Sequence, residues 1–143
     1  MSTCCNIGYI NKDKSIDIIY CHRDGYPSYI TDILSHNYNT QELARKLVDL
    51  GGISHLNRRL APSSDSHSFD TPETGVTVAY VRDRGESWEF NKPAHYKSVS
   101  EMQKRQRHAG FSYCYLYDSI QNTWLYRTDI DDNFKPFNDT VNE

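Results

Sequence analysis

The segment SIDIIYCHRDGYPSYITDILSHN, residues 15 to 37, constrains the fold more than any other stretch of the chain. A β-branched, apolar run at 15 to 21 reads as a strand. Asp24-Gly25 then allows a tight backbone turn, and Pro27 suits the first turn of a helix, where a missing N–H costs nothing. Ile30, Ile33 and Leu34 repeat at helical spacing, which predicts a helix over 27 to 37. On the strand, Ile16, Ile18 and Tyr20 share one face and look like core.

The rest of the pattern follows the same logic. CCNIGYI at 4 to 10 forms a hairpin with 15 to 21 across the polar turn NKDK. NTQE, Asn39 to Glu42, has the form of a capping box, the stripe Leu43, Leu47 and Leu50 continues it, and Gly51-Gly52 stops that helix. APSSDSHSFDTPET, residues 61 to 74, lacks periodicity and reads as a long exposed loop. VTVAYV at 76 to 81 reads as a strand, and SVSE at 98 to 101 opens a charged helix that Gly110 can close. FSYCYLYD (111 to 118) and TWLYRT (123 to 128) form a second hairpin.

These elements define an α+β class: one domain over 1–128, with an antiparallel sheet of about five strands built from the N- and C-terminal hairpins and packed with two to three helices. Residues 129–143 form a polar C-terminal tail that is expected to fray.

Charge narrows the partners. Sixteen basic and nineteen acidic residues leave a net charge of -3, so nucleic acid is not the expected partner. The short basic runs at 57 to 59 and 104 to 108 read as solvated faces. No apolar run approaches the roughly 20 residues that span a bilayer, and the N-terminus lacks the pattern of a secretion signal, which gives a cytosolic expectation with no membrane partner. The four cysteines form no CxxC pair, and Cys4 and Cys5 on a strand would point to opposite faces, so no metal site and no cofactor are expected.

The strand-to-helix junction carries the first candidate ligand contacts, His22, Arg23, Asp24 and Tyr26, because a helix N-terminus beside a turn favours anions. VRDRGE, residues 81 to 86, carries the second. In extended chain Arg82 and Arg84 would face the same way and form a fork for phosphate or carboxylate. If both segments meet at one sheet edge, these arginines with Tyr26, His67 and Phe69 make a basic, aromatic pocket for a nucleotide-like or phosphorylated ligand. Cys21 beside His22 is no catalytic dyad, since neighbouring strand residues point apart, and no familiar catalytic motif is present, so no catalytic residue is assigned.

SIDIIYCHRDGYPSY, NTQELARKLVDLGGISHL and HSFDTPETGVTVAYVRDRGE together resemble a group of small proteins encoded by tailed bacteriophages and prophages. In that group an IYCH-x-DGYPSY segment precedes a helix pair and a VTVAY-x-RDRGE segment follows a loop. The resemblance covers the first two thirds of the chain, to Glu86, and Arg23 stands where the group more often carries a large aromatic residue. It implies an accessory product of the host cytoplasm, in a set whose members often inhibit host processes or immune signalling. The function expected is a binding protein that sequesters a phosphorylated small molecule or blocks a host protein. The alternatives are an interaction module using Tyr113, Tyr115 and Tyr117, or a small enzyme acting on nucleotides through His22 or Asp24. An exposed aromatic strand edge is compatible with a homodimer.

Overall fold

The computed structural model describes residues 3–106 and 111–137. The chain opens with β1 (Cys5–Ile10) and β2 (Ile16–Arg23), antiparallel in the register Cys5 opposite Cys21. The helices α1 (Pro27–Asn37) and α2 (Gln41–Asp49) then cross to β3 (Ile53–His55), which runs parallel to β2. The strand β4 (Val78–Ala79) pairs with β3 and passes directly into α3 (Tyr80–Arg84). The short α4 (Trp88–Asn91), β5 (Ala94–Tyr96) and α5 (Val99–Gln106) precede the hairpin β6 (Cys114–Asp118) and β7 (Thr123–Arg127), and β8 (Lys135–Pro136) adds to β7.

The described residues form one α+β domain around a mixed sheet of order β4-β3-β2-β1-β6-β7-β8, with β5 also on β2. The expectation of an antiparallel sheet of about five strands with two to three helices is corrected to eight strands and five helices among those residues. Both predicted hairpins exist, but they dock by pairing β1 with β6 in parallel, and β2 reaches β3 in parallel through the helix pair. Hairpin signals are local and do not encode how two hairpins meet.

Both faces of the sheet are core. On one face, Ile7, Tyr9, Ile19, Cys21, Tyr115, Tyr117, Trp124 and Tyr126 pack with Ile30, Ile33 and Leu34 of α1 and Ala44, Leu47 and Val48 of α2. On the other, Ile10, Ile16, Ile18, Cys114 and Leu116 pack under Met102 of α5. The face Ile16, Ile18 and Tyr20 is therefore one of two buried faces. Tyr115 and Tyr117, considered above as interface residues, are 0% and 2% exposed, and Tyr115 donates a hydrogen bond to the Gly25 carbonyl at 2.7 Å.

Local chemistry accounts for the element ends. The cap of α2 is Thr40 rather than Asn39: its hydroxyl accepts from the Leu43 N–H at 3.2 Å, and Gly51 at φ 77° lets the chain leave. At α5, Ser98 Oγ accepts from the Glu101 N–H at 3.1 Å, while Gly110, its expected stop, lies outside the described residues. The strand expected over 76 to 81 shrinks to two residues because the Asp83 carboxylate takes the Ala79 N–H at 2.8 Å and starts a helix turn, which Gly85 at φ 73° ends. Beyond Thr128 the chain stays docked through Phe137, whose ring stacks on Trp124 at 5.9 Å. No helix among the described residues is long and apolar enough to cross a membrane.

Candidate functional site

At the end of β2 the junction is built from both neighbouring strands. Asp24 adopts φ 57°, and its carboxylate lies 3.0 Å from His55 Nε2, while Tyr29 stacks on the His55 ring at 5.4 Å and donates to the Leu56 carbonyl. Burial, with the Asp24 charge as a smaller cause, pushes the Tyr29 hydroxyl up to about 12, so it stays protonated. Gly25 is required by close approach: a Cβ there would lie 2.7 Å from Cys5 Cβ and 2.9 Å from the Thr3 carbonyl. Tyr26 is exposed at the head of α1.

The arginines separate in role. Arg82 and Arg84 stand on a helix, where two residues are about 200° apart around the axis, so the predicted same-side fork does not form. Arg82 is spent within the fold, donating to the carbonyls of Leu60 and Thr77 at 2.6 Å each and to Asp83. Arg84 lies over the Phe69 ring at 4.6 Å and 3.4 Å from Glu86. Phe69 packs on Tyr80 at 5.5 Å, Tyr80 bonds Ser54, and Ser54 receives a weak hydrogen bond from Arg23 at 3.4 Å. Arg23 and Arg84 are thus the two ends of one ladder of side chains.

The long loop is anchored, which its composition did not reveal. Glu73 accepts from the Ser63 and Ser64 N–H groups and pairs with Arg59 at 2.8 Å. His67 Nδ1 accepts the Glu73 N–H at 2.9 Å, which puts the ring proton on Nε2, 3.1 Å from Asp83 Oδ2. Both side chains are almost fully buried. Asp83 and Asp17 titrate below the ordinary carboxylate range. Burial opposes this in both, but is outweighed at Asp83 by Arg82, the Ala79 N–H and His67, and at Asp17 by His95, Asn11 and Arg45. A depressed folded value contributes stability that is complete above the unfolded value of about 3.9 and is lost as pH falls through the folded one. Melting temperatures measured from about pH 5 down to about pH 2 will therefore fall, and Asp83→Asn will remove part of that acid dependence while lowering the value at about pH 7.

A pocket of about 330 Å³ opens where the edge of β2 forks. Residues 16 to 18 of β2 pair with β5, whereas Cys21 and Arg23 pair with β3, so among the described residues the edge lacks a neighbouring strand at Ile19 and Tyr20. The pocket fills that gap. Tyr20, Phe90 and Tyr96 supply aromatic walls, and Asn6, Asn91, Gln106 and Lys92 supply polar groups. Phe90 is 92% exposed. Gly52 closes one side beneath Asn91, and Tyr80 lies against it, so the ladder from Arg23 to Arg84 reaches the pocket wall. Behind Gln106 sits Arg127, 0% exposed, bonded to Gln103, Gln106 Oε1 and the Phe111 carbonyl and facing the Phe134 ring, with no carboxylate partner among the described residues. Gln106 in turn donates to Asn6. A larger groove of about 550 Å³ beside the start of α5 has one charge of each sign, Lys14 and Asp118, and no aromatic wall.

The sequence reading missed this pocket because β5 and α4 are too short to leave a periodic signal. The fold and the fork define a single-domain α+β protein with a polar, aromatic pocket on a split sheet edge. No protein-family model, no curated protein and no solved structure matches the chain.

Proposed function

We propose that this chain is a phage-encoded accessory binding protein of the host cytoplasm that sequesters a nucleotide-like or phosphorylated small molecule, with the pocket at the β2 fork as its seat. The fork is the observation that carries the reading. A strand edge that divides between two partners leaves a crevice, and its volume falls within the usual range for small-molecule sites. Tyr20, Phe90 and Tyr96 suit a planar ring, the amides of Asn6, Asn91 and Gln106 suit its polar edge, and Lys92 with the buried charge of Arg127 favours an anionic group. Arg23 and Arg84 reach the pocket wall only through the ladder that passes Tyr80, and His22, Asp24 and Tyr26 lie at the strand end.

Calorimetry against mono-, di- and cyclic nucleotides tests the reading. The wild type binds one class, Ala94→Trp fills the pocket and weakens that binding by more than about tenfold, and Arg23→Ala with Arg84→Ala weakens it less. The Ala94→Trp melting temperature stays near wild type, since Ala94 is exposed. No heat with any nucleotide sinks the small-molecule version. A second reading, blockade of a host protein, draws on the exposed aromatics Trp88 and Phe90 of α4. A stoichiometric host partner captured by wild type and lost with Phe90→Ala supports it.

A further inference from the structure

The first two strands bring Cys4 against Tyr20 and His22, which lie 16 and 18 residues further along the chain. The β1–β2 register sets Cys4 opposite His22, and Tyr20 and His22 project from the same face of β2. Cys4 Sγ lies 3.3 Å from Tyr20 Oη, 3.3 Å from the His22 carbonyl and 4.0 Å from His22 Nδ1, and Tyr20 Oη is hydrogen-bonded to His22 Nδ1. Phe111 packs on Tyr20 at 5.5 Å. The other titratable groups that act on Tyr20 are Tyr80 of α3 and Cys21. Burial and the Cys4 contact raise the Tyr20 hydroxyl well above its ordinary range, so it remains a phenol that carries a proton between the thiol and Nδ1. Cys4 is part-exposed, whereas Cys5, Cys21 and Cys114 are buried.

We propose that Cys4 is a nucleophilic thiol: as it attacks an electrophilic carbon bearing a leaving group, its proton passes to Tyr20 Oη while Tyr20 gives its own to His22 Nδ1. A bond from Sγ to carbon forms and the bond from carbon to the leaving group breaks. The leaving group departs with the bonding pair, and the proton gained by His22 is released to it or to solvent. The substrate class is an activated acyl or alkyl group. Tyr20 also lines the pocket at the fork, so such a group on a bound ligand would stand beside the thiol. The thiol's reactivity does not depend on that ligand.

Iodoacetamide labelling of the full-length protein, mapped by peptide mass spectrometry, tests the relay without any bound ligand, so its failure and failure of the nucleotide panel are read separately. Here Sγ displaces iodide. Cys4 is expected to label at least about tenfold faster than the three buried cysteines. Tyr20→Phe and His22→Gln are each expected to slow Cys4 about tenfold at neutral pH. Labelling of Cys21 and Cys114 monitors the fold of each variant. The wild-type protein decides the matter even if a variant misfolds: a Cys4 that labels no faster than the buried cysteines overturns the proposal, as does a folded His22→Gln protein that labels like wild type.

Discussion

A Trp124→Ala variant will lose roughly 3–5 kcal/mol of stability, the cost of truncating a buried tryptophan. Trp124 is 3% exposed and joins three parts of the chain. Its ring meets Tyr117 edge-on at 5.3 Å and stacks on Phe137 at 5.9 Å, and its Nε1 donates to the Tyr38 carbonyl at 2.8 Å. Tyr38 in turn donates to the Asn57 carbonyl and touches the Thr77 hydroxyl, so the end of α1 is tied to the segments on either side of the long loop. Removing the indole leaves a cavity, strands a buried carbonyl and releases Phe137 from its stacking partner. Urea denaturation followed by circular dichroism measures the loss, and limited chymotryptic proteolysis reports whether cleavage after Phe134 accelerates. Trp124→Phe keeps most of the packing and should recover more than half of the loss, the remainder reflecting the missing N–H donor.

Gly8→Ala will cost about 3 kcal/mol, at the upper end for overpacking, although it adds a single methyl group. Gly8 lies in β1 between Ile18 of β2 and Leu116 of β6. A Cβ there would lie 2.5 Å from Ile18 Cγ2, 2.7 Å from the Asp17 carbonyl and 2.8 Å from Leu116 Cδ2. The two side chains can move, but the carbonyl belongs to the adjacent strand and cannot yield without parting β1 from β2. Ile18 also lines the pocket at the fork, so the same substitution should lower ligand affinity at temperatures where the protein is still folded. A wild-type melting temperature for Gly8→Ala would show that the strands open at this point more easily than their packing implies.

Much of the α+β class was legible because its signals are short-range. Pro27 with Ile30, Ile33 and Leu34 placed α1 at 27 to 37, and its observed bounds are Pro27–Asn37. Both hairpins followed from β-branched and aromatic runs around polar turns. The candidate site was legible only in part. The junction at 22 to 26 lies where a strand meets a helix, but its partner His55 comes from a three-residue strand that propensity cannot detect. Arg82 and Arg84 were read as extended and are helical, because the decisive contact is Asp83 to the Ala79 N–H rather than the β propensity of the preceding valines.

What the sequence determined by itself, then, is the set of local elements: strand, turn and helix preferences act over a few residues and are written in those residues. The tertiary structure alone decided three things. It joined the two hairpins in parallel through β1 and β6, it divided the edge of β2 between β3 and β5 to leave a pocket, and it set Cys4 against Tyr20 and His22. Each depends on contacts between segments distant in sequence, whose free energy comes from burying both faces of one sheet at once. No single stretch carries that condition, and it is satisfied only when the whole chain closes around Ile7, Ile19 and Tyr115 on one side and Ile18, Met102 and Leu116 on the other.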